Sequence, residues 1–353
     1  MHYKTFSKEI NRRAYNLRFI SLISLLMVII SCQGQKKQDK YNGVSLVASR
    51  EPISSSHITP ILEVNANAVA VMPFGFMESL SSPDLIFNTE RQWEGERVDG
   101  VRETTKLLHS QGLKVMVKPH IWIWKGEFTG DIKMNSEEDW KELETNYEEF
   151  ILLYATMAAE ENVELFCLGT ELYGFANERT EFWEQLIIKI RKVYTGKLTY
   201  AENWDKVGKI TFWDQLDYIG VDAYFPLSNG KSPNIEELRA SWKPHKSQLK
   251  ELSEKYDRKI MFTEYGYRNT DFATKQPWDS SRKETSVNND LQSNALMALY
   301  QEFWREDWFA GGFLWKWFHD HDEAGGIENN QFTPQNKPAL QVVKGFYGEM
   351  IRD

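Results

Sequence analysis

Residues 137–172 read EEDWKELETNYEEFILLYATMAAEENVELFCLGTEL. Across 137–162, Trp140, Leu143, Tyr147, Phe150, Ile151, Tyr154, Met157 and Ala158 recur every three or four positions, the spacing of one buried face of an α-helix. Leu165-Phe-Cys-Leu168 follows, a continuous apolar run that suits a strand covered on both faces. That strand runs into Gly169-Thr-Glu-Leu172, with a carboxylate where it gives way to a loop. Helix, buried strand and rim acid together are the repeating unit of a parallel α/β protein.

Outward from that unit the pattern repeats. Apolar runs stand at Gly43-Val-Ser-Leu-Val-Ala48, Ala68-Val-Ala-Val-Met72, Leu113-Lys-Val-Met-Val-Lys118, Lys197-Leu-Thr-Tyr200, Tyr218-Ile-Gly-Val221, Lys259-Ile-Met-Phe-Thr263 and Gly312-Phe-Leu-Trp315. Helical spacing covers 91–111, 180–194, 234–256, 287–306 and 338–351, while the connection at 210–216 has room for only a turn or two. Eight strands alternating with helices favour a closed (β/α)₈ TIM barrel over an open doubly wound sheet. No Gly-x-Gly-x-x-Gly follows the first strand, which speaks against a dinucleotide fold. Residues 43–353 therefore read as one catalytic domain.

The N-terminal segment lies outside that pattern. Lys4, Lys8, Arg12, Arg13 and Arg18 precede an apolar run over 19–30, and Ile29-Ile30-Ser31-Cys32 closes it. This is a secretory signal over 1–31, too short for a comfortable membrane span, and its end resembles the lipobox in which Cys32 is diacylated. Residues 32–42 are polar and read as the lipidated cysteine and a flexible tether. The expected location is a bacterial cell envelope, with membrane attachment through the lipid on the periplasmic face or the cell surface. The formal charge of the whole chain is −9, and removing a basic leader makes the remainder more acidic, so nucleic acid is an unsuitable partner. With Cys32 lipidated, Cys167 is the one remaining thiol, which excludes an intrachain disulfide and a cysteine-based zinc site. A monomer is the expectation.

In a barrel of this kind the reactive groups sit at the C-terminal ends of the strands. The fourth strand ends on Glu171 and the seventh, Phe262-Thr-Glu-Tyr-Gly266, on Glu264. A half-buried carboxylate beside aromatic rings is costly unless used or paired. Two facing glutamates about 5–5.5 Å apart are what retaining glycoside hydrolysis needs; the alternative for each is an ion pair with a rim arginine or lysine.

Gly169-Thr-Glu-Leu172, Tyr200-Ala-Glu-Asn-Trp204, Gly220-Val-Asp-Ala-Tyr-Phe-Pro226, Phe262-Thr-Glu-Tyr-Gly266, Phe313-Leu-Trp-Lys-Trp317 and Lys337-Pro-Ala339 together make the chain resemble glycoside hydrolase family 113 of clan A, over essentially residues 43–353. Described members of that family are endo-β-1,4-mannanases. The resemblance implies Glu171 as acid/base, Glu264 as nucleophile and a mannan-type polysaccharide or oligosaccharide as substrate. Many clan members carry Asn before the acid/base; here Thr170 stands there, and Asn203 is the candidate to replace its contact with the sugar 2-hydroxyl.

Around the pair, Tyr224 is the expected hydrogen-bond donor to Glu264, with Asp222 two residues earlier on the same strand face. Trp315 and Trp317 are expected to share a face of the eighth strand and cover the apolar side of a sugar ring, with Trp204 and the pair Trp122 and Trp124 at other strand ends. Trp183, Trp242 and Trp304 fall within helices and belong to the core. His120 and Arg50 are further candidates for hydroxyl contacts. The stretch His319-Asp-His-Asp322 and the faintly calcium-loop-like 320–325 give at most a partial metal site, so neither metal nor cofactor is expected. Two rival readings keep parts of this: the same retaining mechanism on another β-glycan, such as a glucan or β-mannoside, and a non-catalytic glycan-binding lipoprotein.

Overall fold

The computed structural model describes residues 40–281 and 286–352. The signal segment, Cys32 and nearly all of the tether lie outside the described residues. Tyr41 and Asn42, expected to belong to the tether, are part of the first strand, and Asn42 is buried.

Eleven strands run in chain order: β1 (Tyr41–Leu46), β2 (Ala68–Val71), β3 (Phe74–Met77), β4 (Ile86–Phe87), β5 (Lys114–Val117), β6 (His120–Ile123), β7 (Leu165–Thr170), β8 (Lys197–Asn203), β9 (Tyr218–Asp222), β10 (Lys259–Tyr265) and β11 (Phe309–Trp317). Eight of them close a parallel barrel in the order β1-β11-β10-β9-β8-β7-β5-β2. These are the eight apolar runs of the sequence, and the TIM-barrel expectation holds. The remaining β3, β4 and β6 form a separate three-stranded sheet that the periodicity did not reveal. Pro73 and Pro119 explain its place: each follows a barrel strand, interrupts pairing for want of an N–H, and starts the chain on an accessory strand.

Helices Val98–Ser110, Glu137–Glu160, Thr180–Val193, Ile235–Tyr256, Asn289–Phe303 and Ala339–Arg352 surround the barrel, close to the expected spans. A nine-residue helix, Ser55–Glu63, was not apparent because Pro60 and several small polar residues dilute its period. The connection between β8 and β9 holds only two short 3₁₀ turns, Val207–Lys209 and Trp213–Gln215.

Two apolar regions hold this together. Ala68, Ala70, Met116, Leu165, Cys167, Ala201, Met261 and Phe313 form part of a cluster of their own that fills the inside of the barrel. The larger cluster lies between strands and helices and holds the fully buried Trp183 and Trp242, inside their helices, and Trp304, which caps the end of Asn289–Phe303 rather than lying within it. Trp183 sits 5.2 Å from the rings of Tyr147 and Phe175 and 5.3 Å from that of Tyr200 (centroid distances). Trp183→Ala is expected to lower unfolding stability by about 3–5 kcal/mol, the usual range for removing a buried large aromatic, read as a fall in the urea midpoint.

Candidate active site

The β7 and β10 rims place Glu171 and Glu264 at the same mouth of the barrel, near enough that the Glu264 charge acts on Glu171. Alternation alone would send Thr263 and Glu264 to opposite faces of β10. The pairing with β9 shifts between Phe262 and Glu264, however, and both side chains turn to the same polar centre. Gly266 completes the turn: a Cβ there would stand 2.3 Å from the Trp315 carbonyl oxygen, so no larger residue fits between β10 and β11.

At that centre lies a residue the sequence did not single out. Lys118, just past β5 and fully buried, donates to Glu264 Oε1 at 2.5 Å and to Asp222 at 3.1 and 3.2 Å. Burial opposes its charge, but Asp222 and Glu264 outweigh that and keep the ammonium protonated. Glu264 Oε2 accepts a second hydrogen bond from the Tyr224 hydroxyl at 2.9 Å. Burial first, and then the neighbouring carboxylates, hold the Tyr224 phenol well above its usual value, so it acts as a donor.

Glu171 is in a different state. No arginine or lysine pairs with its carboxylate among the described residues. Its side chain is partly open to the cleft, yet burial, followed by the charges of Asp222 and Glu264, pushes its pKa well above the ordinary glutamate value of 4.5. The backbone there is left-handed, with φ 52°. Three hydrogen bonds fix it: Glu171 N–H to the Ala201 carbonyl at 2.8 Å, Thr129 Oγ1 to the Glu171 carbonyl at 3.0 Å, and Leu172 N–H to the Tyr200 hydroxyl at 2.9 Å. Tyr200 in turn donates to Glu202, a wholly buried carboxylate that burial raises to about 7.

The other expected contacts divide. His120 Nε2 lies 3.6 Å from Glu264 Oε1, and burial and the Lys118 charge hold its imidazole well below the usual 6.5. Trp315 is half-buried and stacks over His120 at 6.5 Å. Asn203 and Trp204 are half-buried at the end of β8, and the Trp204 ring lies 5.7 Å from that of exposed Trp278.

Two expectations need correction. Asp222 does not face the cleft: it is fully buried beneath Glu264, held by Lys118 and by Thr263 Oγ1 at 2.7 Å. Trp317 is also fully buried and stacks on His321. An extra residue in β11 against β1, between Leu314 and Trp317, breaks the alternation that was to place it beside Trp315. Arg50 is exposed and lies over the Trp93 ring at 4.8 Å. Among the described residues no group of three or more histidine, cysteine, aspartate or glutamate side chains is arranged to hold a metal ion. Burial pushes the Cys167 thiol up to about 12, so it is an inert core residue.

An eight-stranded parallel barrel with two glutamates at its mouth, one clasped by donors and one raised and unpaired, is the framework of a glycoside hydrolase. A profile of glycoside hydrolase family 113 matches residues 48–337, and the chain belongs to that family. Its fold is similar to that of a GH113 β-mannanase from Alicyclobacillus acidocaldarius, whose structure is of a complex with ManMIm: TM-score 0.77 and 23% identity, over 88% of this chain and 98% of that one. A second GH113 β-1,4-mannanase gives TM-score 0.77 and 21% identity over 88% and 99%. A Ruminococcus gnavus β-glucuronidase is a more distant likeness, with TM-score 0.60 and 14% identity over 88% of this chain and 50% of that one. Curated protein sequences gave no match.

The buried triad yields a direct test. Lys118→Met leaves two carboxylates facing each other without a cation, and removing one partner of a buried ionic cluster costs about 3–5 kcal/mol. The variant should show a lower urea midpoint and at least a hundredfold (~2.7 kcal/mol) loss of any glycosidase turnover; a wild-type midpoint would mean that Lys118 carries no structural charge.

Proposed function

We propose that the chain is a retaining β-1,4-mannan hydrolase, with Glu171 as acid/base and Glu264 as nucleophile. The observation that carries this reading is the asymmetry of the two rim carboxylates. Glu264 is gripped by Lys118 and Tyr224 with one oxygen on each, which aims it as an anion. Glu171 has no cationic partner among the described residues, and burial and the negative charge beneath it favour its protonated form.

In the first step Glu264 attacks the anomeric carbon while Glu171 gives its proton to the departing glycosidic oxygen, leaving a glycosyl ester on Glu264. In the second, Glu171, now ionised, takes a proton from water, and that water opens the ester. Two displacements retain the anomeric configuration. Neutral His120 borders Glu264 and the Trp315 ring stacks against His120; they suit a sugar hydroxyl and a sugar C–H face respectively. The mannan assignment is supported by family membership and by the two mannanases of similar fold. The same reading includes export and anchorage through Cys32.

Mannohexaose hydrolysis followed by NMR should give the β-anomer first; an inverted product sinks the double displacement. Glu264→Ala should abolish turnover, and Glu171→Ala should regain activity on an aryl β-mannoside when azide is supplied. Near-normal activity of both variants on mannan would refute the assignment. The pH profile tests Glu171 separately. Its acid form is the active one and its pKa is raised, so kcat/KM should hold through the range where an ordinary glutamate is already ionised and fall only as pH rises through the elevated value. In Glu171→Ala that alkaline fall should disappear.

A further inference from the structure

One buried acid near the barrel mouth has no part in the two displacements. Glu202 lies on β8 with no exposure and shares a strand face with Tyr200, two residues earlier. That face is turned to the helices, since the Tyr200 ring stands 5.3 Å from that of Trp183 and 5.5 Å from that of Phe212 (centroid distances). Glu202 therefore does not meet a sugar in the cleft. Its carboxylate accepts two hydrogen bonds, from the Asn203 N–H at 2.8 Å and from the Tyr200 hydroxyl at 2.9 Å. No lysine or arginine forms an ion pair with it among the described residues; Lys206, in the turn after β8, is bonded to Asp205 and acts on Glu202 only from further off. A buried carboxylate without a cation is a costly acceptor of two hydrogen bonds, because the neutral amide of a glutamine could accept both.

The contacts of Glu202 lead to Glu171. The Tyr200 hydroxyl that donates to Glu202 accepts the Leu172 N–H at 2.9 Å, and the intervening Ala201 carbonyl accepts the Glu171 N–H at 2.8 Å. Residues 200–202 thus hold two consecutive amides at the point where the Glu171 backbone is left-handed, with φ 52°. Charge reaches Glu171 as well. Burial comes first in raising its pKa, then Asp222 and Glu264, against Lys118, and then Glu202. We propose that Glu202 is a positioning residue for the acid/base: it orients the Tyr200 hydroxyl that fixes the Glu171 backbone, and its charge helps to keep the proton on Glu171. The proposal rests on the hydrolase reading and deepens it.

The surroundings of Glu202 set the pH at which its charge is present. Burial raises its pKa to about 7, the Asn203 and Tyr200 hydrogen bonds oppose the rise, and Asp222 and Asp205 add to it. Below about pH 7 Glu202 is neutral and exerts no charge on Glu171. Above it the carboxylate is ionised, and Glu171 keeps its proton further into the alkaline range.

Two variants separate the charge from the hydrogen-bonded link. Glu202→Gln removes the charge and still accepts from Tyr200. The alkaline fall of kcat/KM should move to lower pH, with the gap from wild type opening as pH rises through about 7. Tyr200→Phe keeps the buried ring and cuts the link. Its kcat/KM on mannohexaose should fall about tenfold, part of the roughly 100- to 10,000-fold that general acid catalysis supplies. The fall should be smaller on an aryl β-mannoside whose phenol leaves without a proton, because a displaced acid matters only where the leaving oxygen needs one. A purely structural role would lower both substrates alike in Tyr200→Phe and leave the alkaline fall of Glu202→Gln where it is in wild type; that outcome overturns the proposal. A readout without turnover keeps the two readings apart. Wild type that cleaves no β-glycan refutes the hydrolase reading alone. In ¹³C NMR of protein labelled at its glutamate carboxyls, the signal absent from Glu171→Gln should titrate at lower pH in Glu202→Gln than in wild type, and an unmoved titration overturns the proposal.

Discussion

A single ammonium group, that of Lys118, organises the mouth of this barrel. Taking an unpaired lysine charge out of water costs several kcal/mol, and Lys118 has no exposure at all. Its burial is tolerable only with carboxylates in contact, and the fold supplies two: Asp222 from β9 and Glu264 from β10. One cation against two acids leaves a negative excess under the cleft. Asp222 registers it, being raised to about 7 by burial and then by Glu264. Glu171 registers it too, since after burial the charges of Asp222 and Glu264 are what favour its protonated form. The same cluster that positions one carboxylate thus keeps a proton on the other.

Glu171 needs more than charge. A non-glycine residue in the left-handed region costs about 1–2 kcal/mol, and at φ 52° this one bears that cost. The neighbouring strand offsets it. Ala201 accepts its N–H, and Tyr200 accepts the next N–H while donating to Glu202. Glu202 carries a further negative charge that acts on Glu171 in the same direction as Asp222 and Glu264. Strain, hydrogen bonding and electrostatics therefore converge on one carboxyl group, as expected where geometry has been fixed for chemistry.

What could be read in the sequence was what local pattern encodes. The eight barrel strands and the long helices announce themselves by periodicity, and the two rim glutamates by their place at strand ends. Lys118 was hidden because its meaning is non-local. A lysine before Pro119 at the end of a strand reads as a surface residue, and only acids 104 and 146 positions away make it a buried one. The accessory strands were hidden for a related reason. Four residues after a proline carry little period of their own, and β3 and β6 become a sheet only by pairing with each other across more than forty residues of chain.

Bulges set the remaining limit on sequence reading, and they also select which aromatic residues can meet a substrate. By strict alternation Trp315 and Trp317 are equivalent. One extra residue in β11 sends Trp317 into the core and leaves Trp315 over His120. The corresponding shift in β10 turns Glu264 toward Lys118 and Tyr224 beside Thr263. Both irregularities lie near the C-terminal rim, and a further shift pairs Phe262 with Gly312 lower in the barrel. A regular barrel would bury or expose these side chains in strict turn and could not gather Thr263, Glu264 and Trp315 on one side. The rim departs from regularity where the site requires consecutive residues to face the same way, and that departure, more than the barrel beneath it, determines what the cleft presents to a sugar.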